Sequence, residues 1–433
     1  MGCYNSGATY ETPSVDKLAS EGMLFTDFYA AGPVCSPTRA SILTGKYPAR
    51  TGITTYLLSP TRDAKHVTNH LELGEQTVAE AFRKHGYATG YFGKWHLGYS
   101  REHWAAQQGF DVAKGGMDLP WAWKLAHPDK TVPPLDRSKD HRRFFSPHRL
   151  TFMEDGPEGE YLTDRLTDET IRFIEQNKEN PFFVLLSFHT VHTPLQAKEH
   201  VVEKYEQKMK MLGLDNKEEK NPRFKRYQNN PNYATMVQHM DENIGRLVSR
   251  IRELDLEHNT IVVFTSDNGG KGSVTSNYPL KGAKHDLNEG GIRVPLIVRW
   301  PEHIKAGARC DHPLISNDFY PTLLGLADCP PEPEQHQDGI SFKNILLGKG
   351  RKPDREALYW HYPHSRQEGA VRMGDFKLIH FYRSDKVELY NLKEDIGEQN
   401  DLSAERPALA ERMLNMLRNW QKNVGARFQQ TRQ

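Results

Sequence analysis

An α/β fold, with helices on both faces of a mostly parallel sheet and a smaller α+β unit after it, is what this 433-residue sequence predicts. Three observations carry that expectation. Helix-period segments alternate with short apolar runs along the first three quarters of the chain. The runs FFVLLSF (182–188), IVVFTS (261–266) and VPLIVRW (294–300) are apolar almost throughout, as strands covered on both faces are. After Cys329-Pro330-Pro331-Glu332-Pro333 the alternation stops and short segments separated by turn signals follow.

In chain order, 75–85 predicts an amphipathic helix with Val78, Ala79 and Phe82 on one face and Gly86 ending it. The run YATGYFGKW then reads as a strand. Residues 163–177 predict a helix with Leu166, Ile171 and Ile174 turned inward, broken at Asn180-Pro181, and FFVLLSF follows as a buried strand. A long helix over about 231–254 leads to IVVFTS, then VPLIVRW, then a helix over 318–327. The stretches 115–160 and 197–230 read as surface excursions bordering a cleft. ALYWHY, GAVRMGDFKLIHFY and KVELYNL predict an antiparallel meander with a turn at Met373-Gly374-Asp375, closed by a helix near 406–423. The domains are therefore expected at 1–335 and 336–433.

Composition narrows the function classes. Lys plus Arg number 57 against 56 Asp plus Glu, a net +1, which argues against a polybasic nucleic-acid binder and an acidic disordered chain. No run of about 18 apolar residues predicts a membrane span. The first residues, MGCYNSGATYETP, have neither the basic nor the apolar region of a signal peptide. Four cysteines are too few for a disulfide scaffold of this size; Cys310 and Cys329 read equally as a pair or as two free thiols.

Three polar tips directly follow strand-like runs: GKWH at 93–96, HTVHTP at 189–194 and SDNGG at 266–270. Ligands of open α/β sheets bind beyond the carboxyl ends of strands, so these tips are expected to meet. A sharper signal is CSPTRASILTG at 35–45. Ser36 suits an N-cap, Pro37 a first helical position and Gly45 a C-terminal cap. Cys35 then sits at a helix N-terminus, where backbone N–H groups favour an anion, with Arg39 one turn on. His189 and His192 are too few ligands for zinc. Asp267 and Asn268 offer oxygens suited to a hard cation.

This segment resembles the sulfatase signature, C-x-P-x-R followed by A-S-x-x-T-G, and TPSVDKLASEGMLFTDFYA and GKYPARTGI around it are similar to sulfatase phrasing. GKWHLG at 93–98, the H-x-P element ending at Pro194, Asp267-Asn268-Gly269, Lys284 ahead of EGGIRVP, NDFYPTLLGLA and ELYNLKEDIGEQNDLS extend the resemblance over nearly the whole chain. It implies an alkaline-phosphatase-like α/β fold and a sulfuric ester hydrolase, in which a formylglycine-generating enzyme oxidises Cys35 to formylglycine. It further implies Lys94 and Lys284 as sulfate-binding cations, His96 as a donor or proton carrier, and His192 as general acid with His189 in support. Lys281 is the competitor for the role of Lys284. Arg39 would orient residue 35, and residue 35, Asp267 and Asn268 would ligate Ca²⁺ or Mg²⁺.

The family's habitat implies a periplasmic or extracellular enzyme. A carbohydrate sulfate is the expected substrate, with the 115–150 insertion and Trp360-His361-Tyr362-Pro363-His364 supplying sugar contacts. The alternatives are a phosphate or phosphonate monoester hydrolase of the same superfamily and a non-catalytic binder of sulfated glycans. One part of the pattern is missing. Sulfatases begin with a strand and an Asp-Asp metal pair, whereas the first acidic residues here are Glu11 and Asp16. Met1 is therefore expected to be an internal methionine of a longer natural chain.

Overall fold

The computed structural model describes residues 1–57, 68–116, 144–148, 150, 152–221, 223–350 and 352–428. The chain opens with α1 (Pro13–Glu21), β1 (Met23–Phe25), β2 (Phe28–Tyr29), α2 (Cys35–Thr44) and the short α3 (Pro48–Thr51). Next, α4 (Val78–Lys84) is started by a capping box in which Thr77 and Glu80 each accept the other's backbone N–H. It feeds β3 (Ala88–Lys94) and β4 (Val112–Gly116). Further on, α5 (Leu162–Gln176) precedes β5 (Phe182–Ser187), and α6 (Glu199–Met211) and α7 (Pro231–Glu253) precede β6 (Val262–Thr265). The one-turn α8 (Glu289–Ile292) leads to β7 (Leu296–Arg299), β8 (Ala308–Cys310), β9 (Leu314–Ile315), α9 (Phe319–Leu326) and α10 (Lys343–Leu346).

The strands pair as β4-β3-β5, all parallel, as β6-β7-β1-β8, mixed, and as the parallel pair β2-β9. The catalytic part is thus α/β, as expected, but the single sheet read from the sequence is divided. Among the described residues the outer edges of β5 and β6 pair with no other strand. Consequently Phe182 to Leu186 and all four residues of β6 are only half-buried, and FFVLLSF is not the fully covered strand its composition suggests. A cavity of about 1020 Å³ runs between these edges, lined by both strands and by Ile244, Leu247, Val248 and Ile251 of α7.

The C-terminal meander is as read: β10 (Leu358–Tyr362), β11 (Glu368–Met373), β12 (Phe376–Phe381) and β13 (Lys386–Asn391) pair antiparallel in order, and α11 (Pro407–Asn423) packs Met413 and Leu417 onto the sheet.

Three local expectations are corrected, and one alternative left open is decided. In α5 the buried residue is Phe173 rather than Ile171, because the helix turns the Phe173 ring onto Phe92 of β3 and leaves Ile171 half-exposed. The excursion 197–230 contains α6, whose Tyr205 and Met209 pack on Ala234 and Val237 of α7. Trp360, Tyr362 and His364 are buried, with the indole N–H donating to the Ala30 carbonyl, so they are core groups and not sugar contacts. All four cysteines are free thiols, so Cys310 and Cys329 do not pair. Most of the 115–150 insertion lies outside the described residues.

Candidate functional site

Cys35 is the first residue of α2, and Gly45 ends that helix in the left-handed region. Ser36 is not the cap. Its Oγ donates to the His96 carbonyl at 2.7 Å and accepts from Leu57 N–H at 3.2 Å, while the extended Val34 occupies the cap position. Ser36 therefore ties the nucleophile's helix to the loop after β3.

That loop brings the second element. Lys94 ends β3, and its Nζ lies 3.7 Å from Cys35 Sγ. Gly93 allows this close arrangement: at φ +111°, a Cβ would lie 2.0 Å from the Ser187 carbonyl oxygen. His96 is buried beside residue 35, with Nε2 donating to the Leu57 carbonyl at 2.8 Å. The third element comes from beyond β6. Lys284 Nζ sits 3.4 Å from Sγ, its backbone N–H donates to Gly270 O, and His285 N–H donates to Pro33 O two residues before Cys35. Lys281, the competitor, points away to Tyr390 Oη and the Glu398 carbonyl.

Burial and the Asp267 carboxylate push the Cys35 thiol up, yet Lys94 and Lys284, with the neighbouring His96, bring it down to about 6. The pocket favours an anion at residue 35 even though residue 35 is buried. Asp267 behaves likewise: burial opposes its charge, and Arg39, Lys94 and Lys284 hold it at about 2. Arg39 does not reach back over residue 35. Its Nε and Nη2 both bind Asp267 Oδ2, at 2.9 and 2.8 Å, and its Nη1 donates to the Lys94 carbonyl at 2.6 Å and to Ser187 Oγ. Tyr91 Oη donates to the same Lys94 carbonyl. Sequence reasoning missed Ser187 and Tyr91. Ser187 left a trace as the polar end of an apolar strand; Tyr91 left none.

His189 and His192 line the same cavity as Cys35, Lys94, Asp267, Asn268 and Lys284. His189 is buried, and His192 Nδ1 donates to the Thr193 carbonyl at 2.7 Å. The tip Asp267-Asn268-Gly269 is seated by α8: Gly269 N–H donates to Gly291 O, and a Cβ on Gly269 would lie 1.9 Å from Gly290 O.

Two family models match this chain: that of sulfatases over residues 1–329, and that of the N-sulphoglucosamine sulphohydrolase C-terminal region over residues 283–423. The chain belongs to the sulfatase family, within the alkaline phosphatase superfamily, and is a sulfatase enzyme. It is 30% identical to N-acetylgalactosamine-6-sulfatase of Mus musculus, over 86% of this chain and 68% of that one. With steryl-sulfatase of Homo sapiens it shares 29% identity, over 83% and 69%. The solved structure of Ps i-CgsB in complex with k-i-k-neocarrahexaose superimposes with a TM-score of 0.78 and 29% identity, covering 99% of this chain and 91% of that one. No helix among the described residues is long and apolar enough to cross a membrane.

The family implies a divalent cation. Asn268 Oδ1 is buried and accepts no hydrogen bond, an oxygen of the right kind beside Asp267. Calcium takes about six to eight oxygens. Among the described residues no group of three His, Cys, Asp or Glu side chains could hold a metal. The donors present are a fragment of a cation site and do not make one by themselves.

Proposed function

We propose that this sulfatase hydrolyses sulfate esters of carbohydrates, using residue 35 in its formylglycine form. The observation that carries the reading is the pair of ammonium groups, Lys94 and Lys284, set 3.7 and 3.4 Å from the buried side chain of residue 35. As formylglycine, residue 35 supplies a hydroxyl nucleophile. Two cations beside it bind the sulfate oxygens and stabilise the charge that grows on them, a preorganised effect of several kcal/mol in such sites. Arg39 acts through its neighbours, fixing Asp267 and the Lys94 carbonyl, and thereby the direction of the Lys94 side chain. His192, its Nδ1–H held by the Thr193 carbonyl, acts as general acid in its imidazolium form, giving the Nε2 proton to the leaving alcohol, with Lys284 the alternative donor. Residue 35, Asp267 and Asn268 would be ligands of a Ca²⁺ or Mg²⁺ ion, which would supply further positive charge beside the sulfate; no step is assigned to the ion. The carbohydrate preference is supported by the names of the relatives, among them N-acetylgalactosamine-6-sulfatase.

Coexpression with a formylglycine-generating enzyme tests the reading. The Cys35 peptide should lose about 18 Da as thiol becomes aldehyde, and the protein should release sulfate from an aryl sulfate far faster than phosphate from an aryl phosphate. Cys35→Ala should melt at the parental temperature and show no turnover. Full activity in that variant defeats the mechanism, and preferential turnover of the phosphate favours a phosphate or phosphonate monoester hydrolase.

A further inference from the structure

The cavity that holds Cys35 continues past Gly270 to Lys271, Ser276, Asn277 and Gln228. This side is made of two laced segments. Lys225 N–H donates to Gly272 O at 2.8 Å, Lys225 and Ser276 form a β-bridge, and Ser276 Oγ donates to Arg226 O at 2.9 Å. Asn277 closes the 271–278 loop by bonding both backbone groups of Gly270, at 3.1 and 3.0 Å. The backbone here is therefore fixed, and what it presents is positive charge.

Lys271 is exposed, and its ammonium has no acidic partner among the described residues. Arg223, with 65% of its side chain exposed, comes no nearer than 3.7 Å to Asp286. Asp286 is already satisfied by Arg366 at 2.7 Å and by the Ala283 N–H at 3.0 Å. Asp286 is thus shared between Arg366 and the more distant Arg223, and Lys271 adds a further cation on this side. The field is felt by His285: its burial, then Lys284, lower its pKa, and Arg223 and Lys271 act in the same direction against Asp286. In the same loop, one residue beyond Asn277, the Tyr278 ring is 58% exposed, with the Arg226 guanidinium 4.7 Å from its centroid.

We propose that this lip is a second anion subsite, in which Lys271 and Arg223 bind a sulfate or carboxylate on the sugar adjoining the one whose ester is cleaved, while the face of Tyr278 supports that sugar. The proposal rests on the carbohydrate reading above. Exposed cations with little or no carboxylate compensation at the mouth of a cavity raise the local concentration of anions and bind them through charge-assisted hydrogen bonds. An exposed aromatic ring stiffened by a guanidinium offers a flat apolar surface at small entropic cost.

Four probes test it: an aryl monosulfate, a singly sulfated disaccharide, the same disaccharide with a second sulfate on the neighbouring sugar, and the same with a uronate there. Lys271→Ala and Arg223→Ala should each raise KM for the two doubly anionic disaccharides about tenfold, the scale of one charge contact. Their kcat, and kcat/KM on the aryl monosulfate, should change less than about twofold. Whichever of the two disaccharides suffers more identifies the second anion. Equal losses on the aryl monosulfate, or no loss on either doubly anionic probe, overturn the subsite. Binding of the disulfated disaccharide to Cys35→Ala gives a readout without turnover: Lys271→Ala in that background should weaken it about tenfold, and unchanged affinity again overturns the subsite. Failure of the parent enzyme to cleave any sulfate ester sinks the function proposed above while leaving this binding measurement decisive for the lip.

Discussion

In the C-terminal sheet β10 to β13 pair in chain order and α11 covers one face, so that Val371, Leu378, Leu389 and Leu417 are wholly buried. In the catalytic part β5 and β6 carry equally apolar sequences, yet their residues stay half-exposed on either side of a cavity. The same kind of strand is closed in one place and open in the other, so apolar composition reports what a strand is built to bury and not what buries it. The candidate site lies at the end of this opening. Lys94 and Ser187 belong to one half-sheet and Asp267 to the other, and Arg39 on α2 binds all three. That guanidinium is the clasp across the slot.

The largest expected difference is in hydrogen exchange. Amides of β5 and β6 that face the slot should exchange about a thousandfold or more faster than those of β11 and β12, which open only with the whole fold. Slot-facing amides already as slow as those of β12 would mean that the edges are covered as they stand, and the contrast would fail.

Next in size is the join between the two regions. Lys377 of β12 is fully buried against Glu289, at 2.8 Å, and Glu398, at 3.1 Å, and Glu289 begins the turn that seats Gly269. Removing one member of a buried ion pair costs about 3–5 kcal/mol because a charge is left unmatched. Lys377→Met should lower chemical-denaturation stability by that amount, while an unchanged midpoint would show that Glu289 is served by Arg293 alone.

At the site itself, Lys94→Ala and Lys284→Ala should each reduce kcat/KM roughly 10²-fold or more. Lys281→Ala should not, since its ammonium is held at Tyr390 and the Glu398 carbonyl. His192→Ala should cost far more than His189→Ala, and steady-state kinetics giving equal losses would reverse their roles.

Much of this was legible before the structure, for reasons that differ by residue. Element order followed from periodicity and turn chemistry, and the positions of Cys35, Lys94, Asp267 and Lys284 followed from a resemblance spread over motifs far apart in the chain. What local sequence could not carry was partnership. Ser36 reads as a cap until the loop after β3 offers it a carbonyl, and Trp360 reads as a sugar platform until Ala30 takes its N–H. Arg39 reads as a neighbour of Cys35, one helical turn away, whereas its partners are 55, 148 and 228 residues distant. The open edges of β5 and β6 had no local signal at all, because a strand's sequence is the same whether or not its neighbour is there.

The smallest expected effect is a pH dependence in the closed region. Glu368 on β11 is buried, with Oε1 accepting from Leu287 N–H at 2.7 Å and Oε2 3.6 Å from Arg366 Nε. Burial raises its carboxyl to about 7, against the opposing pull of Arg366 and that N–H, with Asp286 adding to the rise and Lys377 opposing it. The folded value lies above the unfolded one of about 4.3, so the fold prefers the protonated group. Its contribution to stability is full below the unfolded value and is lost as pH rises through about 7. Glu368→Gln keeps the N–H bond and cannot ionise, so its stability should fall less than the parent's between pH 5 and pH 7.5, by at most about 1.4 kcal/mol per pH unit. Parallel pH profiles for the two proteins would show that Glu368 is ionised in the fold and that Arg366 outweighs burial.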